Sequence, residues 1–145
     1  MIDLTNGGNP NGTGGDDFIW GTDLRDVISA GGGDDIVCGR GGDDFIDGQA
    51  GNDEIYGMDG PDEIYGGPDD DNMLSGGLEG DLIVGDSFVG PLGSDGDDTL
   101  QGGDGQDELF GYGGDDTLRG GPALDTGDGG DDADTCTSIL NPLNC

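Results

Sequence analysis

The sequence predicts an all-β protein made of short strands and tight turns, and two observations support that prediction. A nine-residue pattern recurs along nearly the whole chain, and in each unit six positions rich in glycine and aspartate precede a triplet whose middle residue is apolar. Glycine occurs 36 times in 145 residues, which disfavours helices because each helical glycine costs about 1 kcal/mol. Each unit therefore predicts a turn followed by a very short strand.

The repeat comprises thirteen units, and we number the positions within a unit from one to nine. Six consecutive units share one uninterrupted register and begin at Gly12, Gly21, Ala30, Gly39, Gly48 and Gly57. The seventh unit, from Gly66, carries one extra residue, and residues 85–92 form an insertion after the eighth unit. The other units begin at Gly76, Gly93, Gly102, Gly111, Gly120 and Gly129.

Position eight is apolar in the first eleven units and supplies the predicted core. Its residues are Ile19, Ile28, Val37, Ile46, Ile55, Ile64, Leu74, Ile83, Leu100, Leu109 and Leu118. One apolar side chain between two outward neighbours is typical of a strand that points a single residue inward, because side chains alternate across a strand. The last two units weaken this pattern with Gly127 and Cys136.

Position six is aspartate in every unit but one, where the alignment places asparagine. These candidate metal ligands are Asp17, Asp26, Asp35, Asp44, Asp53, Asp62, Asn72, Asp81, Asp98, Asp107, Asp116, Asp125 and Asp134. The backbone carbonyls of position-four glycines are further candidates: Gly15, Gly33, Gly42, Gly51, Gly60, Gly96, Gly105 and Gly114. Oxygen ligands without imidazole select a hard cation over zinc or copper. Calcium fits better than magnesium because its coordination geometry is flexible and tolerates backbone carbonyls.

The repeat resembles G-G-x-G-x-D-x-U-x, the nonapeptide of the repeats-in-toxin (RTX) family of calcium-binding proteins, over residues 12–137. The resemblance implies a right-handed parallel β-roll, a β-solenoid of about six coils with two nonapeptides per coil. It also implies two sheets back to back, with calcium ions between stacked turns along each edge. If alternate units line alternate edges, at most eleven calcium ions fit, and we expect roughly eight to ten.

Several units depart from the family pattern at their turns. Position four is not glycine in the units that contain Leu24, Glu79, Ala123 and Asp132. Arg25 stands beside Asp26, where a positive charge opposes a metal ion. We therefore expect the weakest sites at Asp26 and Asp125, and a weak or absent ion at Asn72.

The charge of the chain predicts that folding depends on cations. A formal net charge of −31 and a hydrophobic content of 30% both oppose folding of the chain alone. Extracellular modules bind calcium at about 10⁻⁴ to 10⁻³ M. Such a chain stays unfolded inside a cell and folds outside it. The sequence therefore predicts a secreted, extracellular or cell-surface protein.

The composition also excludes several classes of function. The chain has no histidine or lysine, so it offers no Ser-His-Asp or Cys-His constellation, and we expect no enzyme. Strong negative charge opposes binding to nucleic acid and to anionic lipid surfaces, and no apolar run is long enough for membrane insertion. Three alternatives stay open: an adhesive or structural cell-surface module, the detached C-terminal calcium-binding domain of a larger secreted toxin or enzyme, and a carboxylate enzyme or alginate-modifying module, which resembles some RTX chains.

The predicted organisation is an N-terminal cap over 1–11, the roll over 12–137 and a C-terminal tail over 138–145. The insertion carries an apolar tip at Phe88, Val89, Pro91 and Leu92. That tip is either a recognition loop for a partner or an insertion without function, and we favour the second interpretation because loop tips tolerate insertions. Outward side chains are apolar in the early units and polar later, which predicts that segment 1–11 or an upstream domain covers the first coils.

The three cysteines predict one disulfide. Cys136 ends the last coil and Cys145 ends the chain, and a bond between them would pin the tail over the open end of the roll. Cys38 lies five coils from Cys136, roughly 24 Å at about 4.8 Å per strand, which is too far for a disulfide. We expect a monomer, with a dimer linked through Cys38 as the alternative.

Overall fold

The computed structural model describes residues 2–3, 11–86, 96–140 and 142–145. Regular structure within these ranges is entirely β, so the described chain contains no helix that could cross a membrane. The strands are β1 (Ile2–Asp3), β2 (Phe18–Trp20), β3 (Val27–Gly32), β4 (Ile36–Gly41), β5 (Phe45–Ala50), β6 (Glu54–Asp59), β7 (Glu63–Tyr65), β8 (Met73–Leu78), β9 (Leu82–Val84), β10 (Thr99–Asp104), β11 (Glu108–Tyr112), β12 (Thr117–Arg119), β13 (Thr126–Gly130) and β14 (Thr135–Thr137).

All strand pairs are parallel and form two sheets. The eight-stranded sheet has the order β1-β2-β4-β6-β8-β10-β12-β14, and the six-stranded sheet has the order β3-β5-β7-β9-β11-β13. From β2 onward, consecutive strands alternate between the sheets, and each strand pairs with the strand two places later. The chain is therefore a β-solenoid of about six turns with two repeat units per turn, which confirms the predicted fold class.

The stacking register brings the position-eight side chains into one column per sheet. Val37 pairs with Ile19 on one side and with Ile55 on the other. Every predicted core residue from Ile19 to Leu118 is fully buried, with an exposure of 0%. Burial of each such side chain contributes roughly 1.5–3 kcal/mol, so the hydrophobic core is one residue wide per strand and runs the length of the described solenoid.

The extra residue of the seventh unit forms a bulge after the turn. The backbone N–H groups of Asn72 and Met73 both donate to the Asp53 carbonyl oxygen, at 3.0 and 3.4 Å, and Met73 pairs with Glu54. Position six is consequently Asp71, which is 1% exposed, whereas Asn72 is exposed. The structure corrects the alignment that placed Asn72 in this position, because a bulge absorbs the additional residue without shifting the strand register.

The ninth unit begins earlier than the sequence alignment suggested. Gly85 and Asp86 donate backbone hydrogen bonds to the carbonyls of Phe110 and Gly111, at 2.8 and 3.1 Å, as the first two residues of a turn. The turn thus starts at Gly85 rather than at Gly93, and residues 87–95 lie outside the described residues. The predicted apolar tip of the insertion lies outside the described residues.

The N-terminal strand extends a sheet. β1 pairs with β2, with Ile2 opposite Ile19, and so adds a strand at the edge of the eight-stranded sheet. The outward ring of Phe18 lies 5.7 Å from that of Trp20, which is 39% exposed. The described residues therefore leave this outward face uncovered, and most of the segment predicted as a cap, residues 1 and 4–10, lies outside them.

The C-terminal tail completes the last coil. Gly127 has no side chain at position eight, and the Cδ1 atom of Ile139 fills the space, 2.7 Å from where a Cβ of Gly127 would stand. Leu143 donates a backbone hydrogen bond to the Gly127 carbonyl at 3.0 Å. Cys136 and Cys145 form a disulfide with their Cα atoms 5.7 Å apart. The tail therefore plugs the core, continues the stacking and is tied covalently to it.

We expect Ile139→Ala to lower the free energy of unfolding by about 2 kcal/mol, because it opens a cavity where the tail packs against the core. Leu140→Ala is the matched control: the neighbouring side chain is 52% exposed, so the change should stay within about 0.5 kcal/mol. Urea unfolding followed by circular dichroism measures both values. Equal values for the two variants would show that Ile139 does not plug the core.

Candidate metal sites

Each turn joins its position-six aspartate to the equivalent aspartate of the next coil. The Asp53 backbone N–H donates to Asp71 Oδ1 at 2.9 Å, and the Asp71 N–H donates in turn to Asp98 Oδ1 at 2.8 Å. Bonds of 2.6–3.1 Å link all the aspartates of each edge in this way. The first ladder is Asp17, Asp35, Asp53, Asp71, Asp98, Asp116 and Asp134, and the second ladder is Asp26, Asp44, Asp62, Asp81, Asp107 and Asp125.

The second carboxylate oxygen of most ladder residues accepts no hydrogen bond although it is buried. This holds for the Oδ2 atoms of Asp35, Asp44, Asp53, Asp62, Asp71, Asp81, Asp98, Asp107, Asp116, Asp125 and Asp134. A buried carboxylate oxygen without a partner is costly. Recurrence of the same atom along both edges indicates a built ligand position, and a cation satisfies it best.

Glycine at position one leaves the space into which these oxygens point. A Cβ built on Gly39 would stand 2.5 Å from Asp44 Oδ2 and 2.9 Å from the carbonyl oxygen of Gly57 in the next coil. A Cβ built on Gly48 would meet the two equivalent oxygens, Asp53 Oδ2 and the Gly66 carbonyl oxygen, at still shorter distances. A carboxylate oxygen and a backbone carbonyl oxygen thus converge at these turns, and position one is glycine in every unit except the third, which carries Ala30.

Backbone carbonyls are needed to complete any metal site here. In the described ranges no group of three or more His, Cys, Asp or Glu side chains is arranged to hold a metal ion by itself. The position-four carbonyls stack from coil to coil: the Gly33 carbonyl lies against Gly51, and the Gly42 carbonyl lies against Gly60. Of the predicted carbonyl donors, six have a positive φ, namely Gly33, Gly42, Gly51, Gly60, Gly105 and Gly114, whereas Gly15 and Gly96 do not. Mixed carboxylate and carbonyl donors fit calcium.

Burial raises the pKa of the nine ladder carboxyls from Asp35 to Asp116. The pKa rises to about 6 at Asp44 and Asp53, to about 7 at Asp62, Asp81 and Asp116, to about 8 at Asp71 and to about 9 at Asp98. Loss of water is the first cause, and repulsion from neighbouring carboxylates adds to it, while the backbone N–H donors oppose the rise. The metal-free turn therefore favours protonated carboxyls, whereas a bound cation would favour the charged form.

Threonine satisfies the free oxygen in the first two turns. Asp17 Oδ2 accepts hydrogen bonds from the N–H and Oγ1 of Thr13, at 2.7 and 2.8 Å, which lower the pKa of Asp17. Asp26 Oδ2 accepts the same pair from Thr22, at 2.6 and 3.0 Å. We predicted a weak metal site at Asp26 because Arg25 stands beside it. The structure adds a second reason for that prediction, because the N–H and hydroxyl of Thr22 already occupy Asp26 Oδ2.

The first edge carries an outer column of carboxylates that the sequence reasoning missed. Their Oδ1 atoms accept backbone N–H groups of the next coil at 2.8–3.2 Å, and the acceptors are Asp16, Asp34, Asp70, Asp97 and Asp115. The signal was an acidic pair that recurs every 18 residues in Asp16-Asp17 and Asp34-Asp35. The matching positions of the second edge include Arg25, Pro61 and Gly80, so the two edges differ outside the ladders.

A family model described as RTX calcium-binding nonapeptide repeat (4 copies) matches residues 11–46, 47–83 and 92–126. The three segments cover well over half of the chain and contain every ladder aspartate from Asp17 to Asp125. No curated protein and no solved structure matches the chain.

We expect Gly57→Ala to destabilise the protein by about 1–3 kcal/mol, because its Cβ would collide with Asp62 Oδ2 and stand 2.8 Å from the Gly76 carbonyl. Gly14→Ala is the control, since a Cβ there meets nothing within 4 Å. Urea midpoints give the comparison. A Gly57→Ala protein as stable as Gly14→Ala would contradict the crowding of oxygens at position one.

Without metal ions, we expect the fold to be more stable in acid than in alkali. Those ladder carboxyls whose folded-state pKa is raised above the unfolded value contribute stability that is complete at low pH and is lost as the pH rises through about 6 to about 9. Circular dichroism of metal-stripped protein at about pH 5 and about pH 9 tests this. A β signal that grows with pH would contradict it.

Proposed function

Because the chain belongs to the family of RTX calcium-binding nonapeptide repeats, we propose that it is a secreted, non-catalytic module whose folding and stability depend on many calcium ions. The observation that carries this proposal is the row of buried ladder oxygens that accept no hydrogen bond. They lie in turns whose remaining donors are backbone carbonyls. No other ligand class suits them as well as a large, hard cation.

Repulsion between the ladder carboxylates supports dependence of the fold on calcium. Asp62 and Asp81 are buried, and the N–H of one donates to the carboxylate of the other at 2.9 Å. Both carboxyls become charged only at a free-energy cost, as their raised pKa values indicate. Divalent ions offset this cost and reduce the net charge of −31. We propose roughly eight to ten ions per chain, fewer than the number of free ladder oxygens.

The cysteines support an extracellular location and a monomer. The disulfide between Cys136 and Cys145 is of a kind that persists in oxidising compartments. Cys38 is free and half-buried, and burial raises the pKa of its thiol, which weakens it as a nucleophile. We therefore favour a monomer over a dimer linked through Cys38. The ladder carboxylates have structural partners along each edge, which supports a role in binding rather than in catalysis.

Calcium titration of chelator-treated protein, followed by far-ultraviolet circular dichroism, tests the proposed function. We expect a cooperative gain of β-structure with calcium and little gain with the same concentration of magnesium. A spectrum rich in β-structure before calcium is added would overturn dependence of the fold on calcium. Equal responses to both ions would overturn calcium selectivity.

The same titration distinguishes the ladder from the rest of the acidic surface. Asp62→Asn removes a charge from the second ladder and places an amide nitrogen or oxygen where Oδ2 stood, so we expect the calcium midpoint to rise roughly tenfold. Asp59→Asn removes the same charge from an exposed side chain of the same turn and should leave the midpoint almost unchanged. Equal shifts would mean that net charge alone sets the midpoint.

A further inference from the structure

Position two of the turn divides the units into two groups by backbone conformation. Most units have a positive φ there, whether the residue is glycine or not: Gly31, Arg40, Gln49, Met58, Gly67, Gly77, Gly103, Tyr112, Gly121 and Gly130. Three units do not, and their residues are Thr13, Thr22 and Asp86. All three carry a short side chain with a polar oxygen. In a residue without a positive φ, the Cα–Cβ bond points in a different direction from that of a left-handed residue, so the side chain extends elsewhere.

The two threonines show where that direction leads. Thr22 Oγ1 lies 3.0 Å from Asp26 Oδ2, and Thr13 Oγ1 lies 2.8 Å from Asp17 Oδ2. These are the ladder oxygens that have hydrogen-bond donors, whereas the later ones have none. A position-two side chain in this conformation therefore reaches the ladder oxygen of its own turn. With threonine, a hydroxyl proton takes the place that a cation would otherwise fill.

Asp86 occupies the same position in the turn of Asp98. It is 2% exposed, and its Oδ2 accepts the Gly96 N–H at 2.9 Å. A Cβ built on the preceding Gly85 would collide with Asp98 Oδ2, and the Asp86 carboxylate repels the carboxylates of both Asp71 and Asp98. A carboxylate in this place offers oxygens and negative charge where threonine offers a hydroxyl proton. It therefore adds negative charge beside the buried Oδ2 atoms of Asp71 and Asp98, which accept no hydrogen bond.

We propose that the position-two residue selects how these turns treat a cation: Thr13 and Thr22 replace it, and Asp86 strengthens its binding beside Asp71 and Asp98. This inference rests on the proposed function. Asp86 lies between two of the segments that match the family model, residues 47–83 and 92–126. The site beside Asp71, Asp86 and Asp98 consequently holds the most tightly bound calcium ion, and the first two turns do not use Oδ2 for calcium.

Asp86→Asn tests the role proposed for Asp86, because asparagine keeps an acceptor for the Gly96 N–H and loses the charge. Bound calcium per chain is measured by equilibrium dialysis over a series of free calcium concentrations, with metal counted by atomic emission. In the unaltered protein one ion should persist to roughly tenfold lower free calcium than the others, and Asp86→Asn should abolish that difference. Asp104→Asn, which removes a charge from an exposed side chain on the other edge of the solenoid, should retain it.

Thr22→Gly tests the role proposed for the threonines, because it removes the hydroxyl that satisfies Asp26 Oδ2 and permits a left-handed backbone. We expect one additional calcium ion per chain at saturation. Met58→Gly is the matched control: Met58 occupies position two on the same edge with a φ of 87° and a side chain that is 44% exposed. Its calcium count should equal that of the unaltered protein. Circular dichroism at saturating calcium verifies that each variant is folded.

The outcomes separate this inference from the proposed function. If the unaltered protein binds no calcium, the proposed function fails and this inference fails with it. If it binds calcium but Asp86→Asn releases its last ion at the same free calcium as the unaltered protein, the role of Asp86 is wrong. If Thr22→Gly binds no more calcium than Met58→Gly, the threonine does not stand in for a cation.

Discussion

The hydrogen bond from one ladder aspartate's backbone N–H to the next ladder aspartate's Oδ1 determines how the coils stack. It repeats once per coil along each edge and sets the vertical alignment of the turns. Because it uses one oxygen of each carboxylate, it leaves the other oxygen buried and aimed into the turn. One hydrogen bond therefore accounts both for the stacking of the turns and for the position of the free Oδ2 atoms. The same bond that aligns the strands also brings like charges close together.

The glycines follow from this arrangement. At position one, the Cα of Gly57 lies so close to Asp62 Oδ2 and to the Gly76 carbonyl that no side chain fits. At position four, Gly51 has a φ of 122°, and its Cα lies over the Gly33 carbonyl. Glycine therefore predominates where oxygens converge, with Ala30 as the exception at position one and residues such as Glu79 at position four, whereas larger side chains lie on the outward faces of the strands. The apolar core is only one residue wide per strand, since the turns present carboxylate and carbonyl oxygens instead of apolar side chains.

The period of nine made the fold and most of the ladders predictable from sequence, since each unit repeats the same local pattern. It failed where a unit departs from that length. Three consecutive aspartates, Asp69 to Asp71, allow more than one assignment of position six. The pairing of Met73 with Glu54 in the preceding coil, which places a bulge at Asn72, selects Asp71. The sequence also could not show that Thr22 satisfies Asp26, because that contact depends on the backbone conformation at position two and not on the residue type alone.

The two ends of the solenoid belong to the same sheet, and this has a mechanical consequence. β1 and β14 are the opposite edge strands of the eight-stranded sheet, so the ends are separated by seven strand spacings, roughly 34 Å. Tension between the termini acts along the stacking axis and loads the interstrand hydrogen bonds one rung at a time, a peeling geometry rather than a shearing one. The disulfide between Cys136 and Cys145 directs the load at the C-terminal end straight onto β14. Extension under force would then proceed coil by coil, each step releasing two repeat units.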